Sequence, residues 1–223
     1  MENANKSGKR TPKNPIKFGV NLNEEQKQAK AVILSNKITV LRGQAGSGKS
    51  LVAAQVALDL LFRRDVEKII LTRPAVTSGE EIGYLPGDKD AKLAPYTAAI
   101  YDNMYRLYNK EKIDKAVLEG QIEVIPLAFM RGRNLSNCCI VVDEGQNITH
   151  RQMELMLGRI CNGSRMIICG DGAQIDLKDK KMSGFNFICT NFKEVPGFSI
   201  VTLKTNHRDP IVEQILEIYK AHD

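Results

Sequence analysis

Eight consecutive residues, Gly43-Gln44-Ala45-Gly46-Ser47-Gly48-Lys49-Ser50, fit the pattern G-x-x-x-x-G-K-[ST] at every fixed position. The chemistry this spacing serves is phosphate capture. Glycines let backbone N–H groups curl around a polyphosphate. Lys49 can reach the β- and γ-phosphates, and the Ser50 hydroxyl can take a place on Mg²⁺. A second group follows the apolar run ending Val141-Val142. There Asp143 is suited to hold Mg²⁺ through its water shell, and Glu144 to orient and deprotonate an attacking water. Gln146 lies two residues on, within reach of the same bound nucleotide. Gln174 closes the run Gly170-Asp171-Gly172-Ala173-Gln174. An amide there either senses the γ-phosphate or is a turn residue after Gly172. Gln26, ahead of the loop, either reads an adenine edge through its paired donor and acceptor groups or is a surface helix residue.

Such groups work only when secondary structure brings them to one place. Lys37 to Leu41 is β-prone, and Leu51 to Phe62 is rich in Ala and Leu without Gly or Pro. That order of strand, loop and helix makes the pattern a physical site. Asn23 is placed to cap a helix over 24–34, ending at Ser35-Asn36. Further buried strands are expected at 68–72, 121–125, 138–142, 165–169 and 199–203. Helices are expected at 96–108, 111–118 and 150–161, with Ile100, Met104 and Leu107 on one face of the first. Residues 75–95 carry three glycines and two prolines and read mainly as loop. Pro210 opens a closing amphipathic helix with Ile211, Ile215 and Ile218 in register. Apolar strands alternating with helices predict an α/β fold, a mostly parallel sheet covered by helices on both faces.

The 223 residues suit one large domain or two small ones. No apolar run approaches the roughly 18 residues of a membrane span, and the polar, basic N-terminus lacks the apolar segment of a secretory leader. The five cysteines are Cys138, Cys139, Cys161, Cys169 and Cys189, with no C-x-x-C pair. Most sit in or beside apolar stretches, which points to core residues in a reducing, cytoplasmic setting. The net charge of +6 is uneven. Residues 1–17 carry Lys6, Lys9, Arg10, Lys13 and Lys17 against Glu2 alone. This basic arm either holds nucleic acid through phosphate contacts or is only a solvated, disordered tail. Neither His150 nor His207 has metal-ligand spacing, and both read as ordinary polar residues.

Several segments resemble the PhoH family, within the wider set of superfamily 1 helicase-type ATPases. They are Thr72-Arg73-Pro74-Ala75-Val76, Gly83 to Asp88, Pro126 to Arg133, Asp143-Glu144-Gly145-Gln146-Asn147 and Gly170 to Leu177. Gly145 stands where the family pattern D-E-A-Q-N has Ala, a change expected to preserve the site. The resemblance runs from about residue 22 to the C-terminus, so residues 18–223 are expected to form one phosphate-loop ATPase domain. It implies a single RecA-like core that hydrolyses ATP with Mg²⁺, binds RNA or single-stranded DNA, and assembles into rings, with the hexamer expected. Helicase or translocase activity is a further expectation. Thr72 and Arg73 end a strand where relatives touch the nucleic-acid backbone; the alternative for Arg73 is an ion pair with a nearby acid. Tyr84, Tyr96 and Tyr101 are possible stacking platforms, with core packing the stronger role for Tyr101.

Helicases of that superfamily place ATP between two cores, the second supplying an arginine to the transferring phosphoryl group. With room here for one core, a neighbouring copy is expected to supply it, and repeating that contact closes a ring. The candidates are Arg131, Arg133 and Arg208, each with an alternative as a surface or salt-bridge residue. Two other readings stay open: a kinase using the same loop, and an assembly module that binds ATP without unwinding anything.

Overall fold

The computed structural model describes residues 16–74 and 100–220. Among the described residues six strands form one sheet: β1 (Ile38–Gly43), β2 (Lys68–Thr72), β3 (Ile122–Val124), β4 (Cys138–Val142), β5 (Arg165–Gly170) and β6 (Phe198–Leu203). Their order is β3-β2-β4-β5-β1-β6, and every pairing is parallel. Parallel pairing puts all the C-terminal strand ends on one edge. The helices are α1 (Glu24–Ser35), α2 (Lys49–Phe62), α3 (100–107), α4 (Lys110–Leu118), α5 (His150–Leu157), α6 (Gly184–Asn191) and α7 (Pro210–Lys220). This is the phosphate-loop NTPase fold, a single α/β core.

Strand alternation divides the apolar residues between two layers. Leu41, Ile69, Leu71, Val141 and Ile167 face α1 to α4. Val40, Ile70, Ile140, Val142, Met166 and Ile168 face α5 and α6. The adjacent Cys138 and Cys139 fall in opposite layers, which explains why neighbours in sequence remain free thiols. Helix α2 is buried from Val52 through Leu61, as expected of a helix lying across the middle of a sheet. It carries one buried charge, Asp59, held by Lys30 at 2.6 Å and Arg63 at 2.7 Å. Pairing from both sides is what makes an ionised carboxylate tolerable there.

Several boundaries differ from expectation. Helix α5 ends at Leu157 rather than near 161: the Arg159 and Ile160 N–H groups turn to Met156 and Leu157, three residues back, and Ile160 then bridges Leu135. Helix α6 was not anticipated; Ser183 caps it, its side chain accepting from the Asn186 N–H. The expected loop at 75–95, Tyr84, Tyr96 and the basic arm up to residue 15 lie outside the described residues. Among the described residues no helix is long and apolar enough to cross a membrane.

Candidate nucleotide site

The ends of β1, β4 and β5 and the segment after β6 enclose a cleft of about 550 Å³. It gathers Lys49 and Ser50 from the loop, Asp143 and Glu144 from the end of β4, and Gln174 from the segment after β5. Ala45, Gly46 and Gly48 line it as well, with Gln26 and Arg208 on its walls. Ser50 and Asp143 alone are 93 positions apart; the common sheet edge unites them.

The loop holds its shape for local reasons. Gly46 and Gly48 sit at φ 92° and 84°, where a side chain costs about 1–2 kcal/mol. Gly43 is needed for a different reason: a Cβ there would lie 2.5 Å from the Leu203 carbonyl oxygen of neighbouring β6. Lys49 Nζ donates to the carbonyls of Gly43 at 2.7 Å and Gln44 at 2.9 Å, so its ammonium sits within the loop's own curve. Lys49, Ser50 and Leu51 form the first turn of α2, whose N–H groups have no partner inside the helix. Gly48 offers them no side-chain cap. Uncapped N–H groups beside an ammonium fit a polyphosphate. Ser50 Oγ donates to Asp143 Oδ1 at 2.8 Å, setting a hydroxyl and a carboxylate side by side. An all-oxygen pair of this kind fits Mg²⁺. Ser47 stands apart: its Oγ is buried and makes no hydrogen bond among the described residues.

Glu144 adopts the left-handed backbone conformation, φ 52° and ψ 39°, and starts a 3-10 turn over Gly145–Asn147. Its Oε2 accepts from Gln146 Nε2 at 2.6 Å, and its Oε1 lies 3.6 Å from Arg73 Nη2. Gln146 is buried and its Oε1 accepts the Asp171 N–H. Asn147 bonds Asp176 twice, Nδ2 to Oδ2 at 2.9 Å and Oδ1 from the Asp176 N–H at 2.8 Å. Two amides thus tie the acid turn to the loop that carries Gln174. Gly145 is also sterically required. A Cβ there would lie 2.7 Å from Ile168 Cγ2 and 3.1 Å from the Cys169 oxygen, so the alanine of the family pattern does not fit this packing unaltered.

Gln26 forms a capping box with Asn23. Asn23 Oδ1 accepts the Gln26 N–H, and Gln26 Oε1 accepts the Asn23 N–H. With both oxygens committed, the amide nitrogens are the donors, and both point at His207 Nε2, at 3.3 Å and 3.2 Å. His207 therefore accepts at Nε2 and carries its proton on Nδ1. Its backbone N–H also donates to the Gly46 carbonyl at 3.1 Å. This histidine, read from sequence as an ordinary polar residue, joins α1 to the phosphate loop. The same seam is reinforced by Glu25, whose carboxylate accepts the N–H groups of Lys204 and Thr205. Those bonds hold its carboxyl below the usual carboxylate range.

Other expected residues lie differently. Thr72, the last residue of β2, is fully buried with its hydroxyl unbonded among the described residues. Arg73 takes the ion-pair alternative, with Glu144. Arg131 is exposed after the 3-10 turn Leu127–Met130, and Arg133 bonds Glu123 at 3.2 Å; neither lines the cleft. Arg208 does, and over its own chain's loop: a Cβ on Gly46 would lie 2.7 Å from its Cγ. Tyr101 packs against the α1–α4 layer, as expected. Sequence reasoning missed Asn103 and Arg106, which reach the cleft from α3. They belong to no local motif, and only the folded helix brings them there.

The PhoH-like protein family matches residues 20–220 of this chain. A PhoH-like protein of Synechocystis sp. is 40% identical over 200 residues, covering 89% of this chain and 61% of that protein. A PhoH-like protein of Bacillus subtilis is 38% identical over 196 residues, covering 87% and 61%. The chain thus spans about three-fifths of the length of these relatives. Among solved structures it is similar to the Pif1 helicase from Candida albicans, with TM-score 0.48, 18% identity, and coverage of 89% of this chain and 43% of that one. By the extent of the family match and the identity to these relatives, the chain belongs to the PhoH-like family.

Proposed function

We propose that this chain hydrolyses ATP with Mg²⁺ and couples hydrolysis to binding RNA or single-stranded DNA. The observation that carries the reading is the 2.8 Å contact of Ser50 with Asp143 in a cleft shared by Lys49, Glu144 and Gln174. The loop N–H groups and Lys49 hold the β- and γ-phosphates, and Gln26 lies on the wall nearer α1. Ser50 and Asp143 would hold Mg²⁺, which when bound would offset charge on the phosphates. Glu144 orients the attacking water and takes its proton, and Gln174 contacts the γ-phosphate. Arg208 supplies positive charge from within the same chain. The nucleic-acid half of the reading rests on the net charge of +6 and on Arg73 at the end of β2.

Phosphate release by the wild type and Glu144→Gln, with and without single-stranded RNA and DNA, tests this. The variant should retain ATP binding and lose about 10²-fold or more in turnover. Unchanged turnover removes Glu144 from the mechanism. Phosphate transfer to an added hydroxyl acceptor would favour the kinase reading, and binding without turnover the assembly module. Ring assembly, in which a neighbour's Arg131 completes the site, makes turnover per chain rise with protein concentration. Equal turnover in dilute and concentrated protein rules it out.

A further inference from the structure

We infer that Arg73 is a positioning residue that restrains Glu144, and that a nucleic-acid phosphate competing for its guanidinium releases the carboxylate to act on water. The inference rests on the ATPase reading and names how that site is regulated.

The sheet sets the two residues side by side. Thr72, the end of β2, is in register with Val142, the end of β4. The Asp143 N–H donates to the Thr72 carbonyl at 2.9 Å, which extends the pairing one step beyond the strands. Arg73 and Glu144 are the next residues out on each chain. Both Glu144 oxygens then have partners, Oε2 with Gln146 and Oε1 with Arg73. The Arg73 charge beside Oε1 biases the carboxylate away from a water on the γ-phosphate, in addition to the Gln146 bond that holds Oε2. The two restraints differ in kind. Gln146 is 1% exposed, bonds Glu144 at 2.6 Å and is itself fixed by the Asp171 N–H. Arg73 is one-third exposed and its contact is 3.6 Å, beyond hydrogen-bond length. An open pair of that length is weak, whereas a guanidinium binds a phosphate through two parallel donors. Arg73 does not line the cleft while Glu144 does, so the pair spans from the cleft to the rim. The left-handed backbone at Glu144 fixes where its side chain starts, leaving side-chain rotation as the movement that matters.

The test is phosphate release by the wild type, Arg73→Ala and Arg73→Lys, each with and without oligouridylate or oligothymidylate. Arg73→Ala should raise kcat severalfold without nucleic acid, leave the KM for ATP unchanged, and respond no further to either oligomer. Arg73→Lys should restore part of the restraint and part of the response. Arg73→Gln, which keeps two of the three stem methylenes and removes the charge, should behave as Ala and guards against a folding defect. A basal kcat in Arg73→Ala and Arg73→Gln equal to or below wild type overturns the inference, as does full stimulation of either. If wild type releases no phosphate under any condition, the ATPase reading itself has failed. If wild type hydrolyses ATP but neither oligomer stimulates it, the release half of the inference is overturned, and the basal rates still decide the restraint.

Discussion

Ser50 Oγ stands 2.8 Å from Asp143 Oδ1, a bond between residues 93 positions apart. It joins the first turn of α2 to the end of β4. Because β5 lies between β4 and β1 in the sheet, the contact reaches over the end of an intervening strand. Ser50 and Asp143 both line the cleft, together with Lys49.

Asp143→Asn keeps an acceptor for Ser50 and removes the charge. The fold should be intact by circular dichroism. Mg²⁺-dependent turnover should fall about 10²-fold or more, read as phosphate release across a Mg²⁺ titration. Wild-type turnover at saturating Mg²⁺ would remove Asp143 from metal binding.

Gly145→Ala should destabilise the fold by about 1–3 kcal/mol, the usual range for overpacking a filled core. The new methyl would meet Ile168 and the Cys169 carbonyl, and the second of these is backbone that cannot rotate away. Urea denaturation of the two proteins measures the difference. An unchanged midpoint would mean that the acid turn shifts freely.

Four thiols should resist alkylation in the native protein. Burial pushes Cys139 up to about 12 and Cys189 up to about 11, and raises Cys138 and Cys169 as well. Thiolate is the reactive form, so iodoacetamide at pH 8 should label Cys161 first and the others only in denaturant. Peptide mapping by mass spectrometry reads the order. Early labelling of Cys139 would contradict the sheet assignment.

Glu25 predicts an acid-sensitive seam between α1 and the segment after β6. Its folded value is lowered, chiefly by the Lys204 N–H, so its contribution is present above the ordinary carboxylate range. It is lost as pH falls through the lowered value. The gap in melting temperature between wild type and Glu25→Gln should be widest near neutrality and shrink as pH falls below the ordinary carboxylate range. A gap independent of pH would show that charge plays no part.

The strands were legible because burial on both faces leaves uninterrupted apolar runs, as in Cys138 to Val142. The phosphate loop was legible because all its fixed positions are contiguous. Helix α6 was not, since Phe185, Phe187, Ile188 and Thr190 are weak helix formers. The buried face of Phe185, Ile188 and Cys189 and the Ser183 cap stabilise it instead. The burial of Thr72 was not legible because the pleat direction of the last residue of a strand decides its exposure. The Arg73–Glu144 pair and the His207 junction join distant segments, and register across the sheet, absent from any local pattern, creates them.

Phe185 fills a dent made by two glycines. A Cβ on Gly170 would lie 2.6 Å from its ring, and one on Gly145 3.3 Å away. One aromatic thereby carries a shape constraint from the far layer of the protein to both turns that border the cleft. Over evolutionary time positions 145, 168, 170 and 185 should vary together: a lineage with alanine at the acid turn should also carry altered side chains at 168 or 185.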